Sequence, residues 1–174
     1  MKIAVETIKE LRNLTSASVM DCKKALQEAQ GDLKKAVEFL RKRGLEIAAN
    51  KQDRAAKEGR VEAYVHLGNK IGVLVEVDCE TDFVARNNDF YQFSKDVAMQ
   101  IAACNPLYIK KEDVPENVLE QQENKELFLK ERCLLEQVFI KDPSISIKDY
   151  LAGLIAKMGE NIFVRRFTRY KIGE

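Results

Sequence analysis

The sequence predicts an α+β protein, with a three-helix module at the N-terminus followed by a small antiparallel sheet covered by helices. Two changes of period carry this. Apolar residues recur at helical spacing from Val5 to Leu40, alternate in twos from Gly59 to Cys79, and return to helical spacing after Asn88. With 45% hydrophobic and 33% charged residues among 174, the chain has enough apolar content for a core and enough charge for a solvated surface, so wholesale disorder is excluded.

The elements follow in order. Val5, Ile8, Leu11 and Leu14 define a first helix, broken by the hydroxyl-rich run Thr15, Ser16, Ala17, Ser18, which can cap the next. Met20, Ala25, Leu26 and Ala29 define a second, stopped by Gly31 in the manner of a left-handed C-terminal cap. Asp32 is the N-cap of a third, carried by Leu33, Ala36, Val37 and Leu40 and closed by Arg41, Lys42, Arg43 and Gly44. Residues 1–44 are thus expected to form the helical module, 45–58 a basic helical linker, and 59–174 an α+β core. Val61, Ala63, Val65 and Leu67 alternate with polar residues, a turn falls at Gly68, Asn69 and Lys70, and Ile71 to Cys79 continues the alternation, which predicts a hairpin. Phe90, Phe93, Val97 and Ile101 predict a helix ending near Asn105, before Pro106. A long helix is expected from Pro115 toward Phe139, and another opening at Ser146 and Asp149 and ending at Gly159. Ile162 to Ile172 reads as a closing strand.

Little in the chain suggests catalysis. There is one histidine, His66, on a predicted strand, and neither a nucleophile elbow nor a phosphate loop occurs, so no catalytic residue is assigned. Cys22, Cys79, Cys104 and Cys133 are scattered without a CxxC pair, so no metal site and no cofactor are expected. No apolar run approaches the roughly 20 residues that span a bilayer, and no signal-peptide core is present, so a cytoplasmic setting without a membrane partner is expected. The 29 basic and 28 acidic residues nearly cancel, so no direct nucleic-acid partner is expected either.

One segment differs. From Glu76 to Asn87 a strand runs straight into Asp82 and Phe83 at a strand-to-helix junction, a place from which side chains can project. Phe83 continues the inward parity of the odd-numbered strand residues, which favours a core position, whereas the junction would let it stand out as an apolar wedge beside an acidic group.

Two motifs carry a family resemblance. The string LRNLTSASVMDCKKAL, through Leu11, Arg12, Thr15, Met20 and Asp21 to Leu26, resembles the N-terminal signature of the elongation factor Ts family, and EVDCETDFVARN, Glu76 to Asn87, is similar to its central signature. KMGENIFVRRF, from Lys157 to Phe167, is a weaker third likeness. The resemblance implies a ubiquitin-associated-like module docking on elongation factor Tu through Arg12 and Met20, and a wedge of Thr81, Asp82, Phe83 and Val84 that disturbs the magnesium and phosphate site of that GTPase and promotes GDP release. It implies the compact class of the family, in which two chains pair through their sheets, and the stretch from Glu120 to Leu135 is shorter than in many compact members. Two other readings stand beside it: an adaptor in which the helical module binds peptide-like partners, and a nucleic-acid binder using Lys51, Arg54, Lys57, Arg60, Arg165, Arg166 and Arg169.

Overall fold

A computed structural model describes residues 3–15 and 17–174, and Ser16, one of the expected capping hydroxyls, lies outside them. The described chain is α+β, and it divides into two compact units, Met1–Arg54 with Ala152–Asn161, and Ala55–Leu151 with Ile162–Glu174.

The first unit holds α1 (Val5–Thr15), α2 (Val19–Glu28) and α3 (Leu33–Ala49). Leu11, Cys22, Ala25, Leu26 and Ala36 form its buried centre, ringed by Ile8, Leu33, Val37 and Leu40. The caps are those the sequence calls for. Ser18 accepts from the Asp21 amide at 3.1 Å and Asp32 from the Lys35 amide at 3.1 Å, each satisfying an amide that has no partner within its helix. After α2 the chain turns through Gln30 and Gly31, at φ of 53° and 87°, and the Gly31 amide reaches back to the Leu26 carbonyl at 2.8 Å. The third helix does not close at Gly44. It continues to Ala49, with Asn50 as its cap. Glycine inside a helix costs only about 1 kcal/mol against alanine, and Gly44 is buried with the Ala152 carbonyl 3.5 Å from where a Cβ would stand.

In the second unit β1 (Glu58–Val65) and β2 (Ile71–Cys79) form the expected hairpin, and β5 (Ile162–Lys171) pairs with β2 on its other side. The order is β1-β2-β5, antiparallel throughout. Helix α5 (Asn88–Cys104) lies against β1 and β2, burying Phe90, Phe93, Val97 and Ile101 over Val73, Val75, Val77 and Cys79. The apolar residues of β1 lie on the opposite face. Ala63 pairs with Leu74 and Val61 with Glu76, so Val61 and Val65 share the outward side of β2 and are 65% and 62% exposed. Gly59 has a physical requirement: at φ +153° an added Cβ would lie 2.4 Å from the Val77 carbonyl oxygen.

The expected long helix from Pro115 to Phe139 does not form. In its place are α6 (Glu116–Glu120), α7 (Lys125–Arg132), a 3-10 turn at Leu134–Glu136, and a hairpin of β3 (Val138–Phe139) with β4 (Asp142–Ser146). Asn124 caps α7 by accepting from the Leu127 amide at 2.9 Å, starting a new helix where the apolar period fails. Two side chains of α5, one helical turn apart, then hold the hairpin. Gln100 donates to the Val138 carbonyl at 3.1 Å and accepts from the Ile140 amide at 3.0 Å. Buried Asp96 accepts from Lys141 at 2.6 Å and from the Tyr150 hydroxyl at 3.1 Å. Burial, reinforced by the Asp96 charge, pushes the Tyr150 phenol up. Helix α8 (Ile147–Met158) opens on the expected box, Ser146 and Asp149 each accepting from the other's amide at 3.1 Å, and stops at Gly159, whose φ is 73°.

Candidate functional site

Strand β2 ends at Cys79 and passes into a tightly tied turn. The buried Cys79 thiol donates to the Thr81 carbonyl at 3.2 Å. Thr81, still extended at φ −128° and ψ 155°, caps the one-turn helix α4 (Asp82–Ala85), its hydroxyl accepting from the Val84 amide at 3.5 Å. Arg86 closes the turn, and its guanidinium stands 3.0 Å from the Asp82 carboxylate. Asn87 then caps α5 by accepting from the Asp89 amide at 2.8 Å.

The strand parity that would bury Phe83 stops at Cys79. Beyond it the chain is helical, and successive residues diverge by about 100° about the axis, so neighbours face different ways. Val84 turns inward, 8% exposed, and Phe83 turns outward, 83% exposed. An aromatic ring so bare, on a turn fixed by two caps and a buried valine, is unusual because its burial elsewhere would release about 1.5–3 kcal/mol. Asp82 beside it stays half-exposed, with Arg86 as its ion-pair partner. Motif and parity do not single out Arg86, although its i+4 spacing from Asp82 is the signal for such a pair.

In the first unit, Arg12 lies exposed in the last turn of α1 and Met20, 61% exposed, in the first turn of α2. Leu14 and Val19, 64% and 52% exposed, lie on the same two turns. Helical spacing links Leu14 to Leu11, but only Leu11 enters the core.

Most groups weighed for other chemistry have partners within the chain. Arg165 pairs with Asp78, and Arg166 with Glu76 at 2.5 Å. Arg169 pairs with Glu174 at 2.9 Å, Arg60 with Glu62 at 2.8 Å, and Lys51 donates to the Gly159 carbonyl at 2.7 Å. The His66 Nδ1 lies 3.0 Å from the Tyr64 hydroxyl. Burial pushes up the thiols of Cys22, Cys104 and Cys133, the last to about 11, so none is poised as a nucleophile. Among the described residues no three His, Cys, Asp or Glu side chains are grouped to hold a metal ion, and no helix is long and apolar enough to cross a membrane.

The described chain is an α+β scaffold that presents apolar and charged side chains outward from short, capped turns. A family model described as Elongation factor TS matches residues 1–127. The elongation factor Ts of Carboxydothermus hydrogenoformans is 51% identical, covering 99% of this chain and 90% of that protein. That of Caldanaerobacter subterraneus subsp. tengcongensis is 51% identical over 99% and 98%, and that of Thermotoga neapolitana 47% identical over 100% and 99%. The chain belongs to the elongation factor Ts family, and is thus a translation elongation factor. Each of these alignments runs over 195 positions, more than the 174 residues of the chain, so the relatives carry residues with no counterpart here.

Proposed function

We propose that this protein is a guanine-nucleotide exchange factor for elongation factor Tu, acting in the cytoplasm, and that Asp82 and Phe83 are its wedge. The bare Phe83 ring on a turn with a buried underside carries the proposal. Thr81 and Val84 set the turn by capping and anchoring it, while Asp82 and Phe83 meet the partner. Arg12 and Met20, with Leu14 and Val19 around them, supply a separate docking surface on the helical module of residues 1–44, which residues 45–58 join to an exchange core of 59–174.

Exchange of this kind needs no group that makes or breaks a covalent bond. A factor that binds the nucleotide-free GTPase more tightly than the GDP form weakens GDP by the same free energy, because the coupling is reciprocal. Ring insertion near the phosphate-binding backbone and magnesium ligands would remove the charge stabilisation that holds the diphosphate. GTP binding then displaces the factor by mass action.

The working form we propose is a homodimer. The outward face of the sheet, bearing Val61, Val65, Leu74 and Tyr170 at 48–73% exposure, has the apolar character of a face that packs on another. The decisive experiment is stopped-flow release of fluorescent GDP from elongation factor Tu. The wild type should accelerate release and the Asp82→Ala, Phe83→Ala double variant far less. A wild type without effect would refute exchange and leave a plain adaptor.

A further inference from the structure

We propose that Arg60 and Tyr91 form a brace that sets the aim of the wedge, which makes both of them positioning residues for exchange; this rests on the wedge assignment above. Helix α4 is a single turn, too short to hold itself by its own hydrogen bonds. It has only two internal backbone bonds, from the Ala85 amide at 3.2 Å and the Arg86 amide at 3.1 Å, and its side-chain cap is long at 3.5 Å. The orientation of Phe83 therefore depends on how the two ends of the turn are tied down.

The first end is tied to β2 through the Cys79 thiol. The second end continues by backbone bonds from Asn87 to the Val84 carbonyl and from Tyr91 to the Asn87 carbonyl, each 2.9 Å, into the first turn of α5. There the Arg60 guanidinium lies over the Tyr91 ring, its carbon 4.2 Å from the ring centroid. Arg60 is fixed from beneath, its Nε 2.8 Å from a Glu62 carboxylate that is 13% exposed. Strand β1 therefore grips the start of α5 through a cation on an aromatic face, with α4 resting on both β1 and β2. Phe90 and Phe93 set the depth of α5 on the sheet by apolar contact, which is non-directional. A guanidinium pinned by a carboxylate adds the directional restraint they lack. Tyr91 is 36% exposed, so the pair sits at a rim where it contributes little to overall stability.

The test is a double-mutant cycle with Arg60→Gln and Tyr91→Leu, plus Tyr91→Phe as the variant that keeps the ring face. The readouts are GDP release at saturating factor, its half-saturating concentration, the melting temperature, and hydrogen exchange at the amides of residues 84–91. Each single change should slow saturated release about two- to fivefold, the scale of a rim cation–π contact expressed as loss of the aligned population. The double should be no slower than the worse single, Tyr91→Phe should match the wild type, and the Ala85, Arg86 and Asn87 amides should exchange faster while the melting temperature falls by no more than about 4 °C. Multiplicative effects in the double, or an unaffected Tyr91→Leu, would overturn the brace. If the wild type itself fails to release GDP, exchange is refuted, and the brace is judged on hydrogen exchange alone, where unchanged protection in both variants overturns it.

Discussion

Phe83 and Val84 are neighbours in sequence with opposite surroundings, and substituting each by alanine should separate exchange from folding. Phe83 is 83% exposed, so Phe83→Ala removes almost no native contact and should change stability by less than about 0.5 kcal/mol. Val84 is 8% exposed, and Val84→Ala deletes two buried carbons, a cost of about 1–2 kcal/mol with the cavity included. In a chain of this length that is a melting shift of roughly 2–8 °C. The order reverses in exchange. If the ring is buried only when the GTPase is deformed, its removal loses about 1.5–3 kcal/mol of transition-state stabilisation, a fall of roughly 10- to 150-fold in GDP release. Val84→Ala keeps the ring and should lose only a few-fold. Stopped-flow GDP release and calorimetry on both variants decide the matter. A Phe83→Ala protein that melts several degrees lower, or that keeps release within about threefold of wild type, would show that Phe83 is not a wedge.

Other consequences can be checked separately. Gly59→Ala should lose at least about 2 kcal/mol of stability in chemical denaturation, because its Cβ would stand 2.4 Å from the Val77 carbonyl oxygen at a φ of +153°. Leu74→Asp, on the outward sheet face, should leave the fold intact by circular dichroism but reduce the mass by light scattering from twice 19.9 kDa to 19.9 kDa; an unchanged mass would place the dimer contact elsewhere. Arg12→Ala with Met20→Ala should raise the concentration of factor that half-saturates GDP release while leaving the saturated rate within about twofold. Burial holds the Cys133 thiol at about 11 against an ordinary 9.0, so its contribution to stability is complete below pH 9 and lost as pH rises toward 11. That contribution is about 3 kcal/mol, and Cys133→Ser should flatten the alkaline part of the denaturation curve.

Local signals were the ones legible in the sequence. Asp32, the Ser146 and Asp149 box, Gly159 and the alternation of β2 each act within a few residues, and each is where the spacing places it. Features beyond the reach of spacing are decided by partners far along the chain. The stretch after Pro115 breaks because Asn124 restarts the helix and because Gln100, 38 residues before Val138, holds the hairpin backbone. Residues Val61, Ala63 and Val65 alternate as a strand should, but alternation does not say which face meets α5. The register with Glu76 and Leu74 says so, and it turns them outward. At Phe83 the period misleads for a definite reason: parity holds only while the backbone stays extended, and Thr81 ends the extension. The motif resemblance carried information there that periodicity lacked.

The division between a docking surface and a wedge has a consequence for how exchange is driven. Contacts made equally to the GDP-bound and nucleotide-free partner lower the concentration needed but leave the rate of the bound complex unchanged. Arg12 and Met20 stand on turns of a helical unit with its own buried centre, and on the proposed reading they would supply contacts of this kind. Phe83 is different, because a ring on a stiff turn finds cover only where the partner opens a space for it. Stiffness is then as necessary as exposure: a wedge that gave way would be buried without prising anything apart, and its burial energy would leave GDP where it was. On the proposed reading, the caps at Thr81 and Asn87, the inward Val84 and the tie from Cys79 would serve exchange by holding the ring, although none of them needs to touch the GTPase.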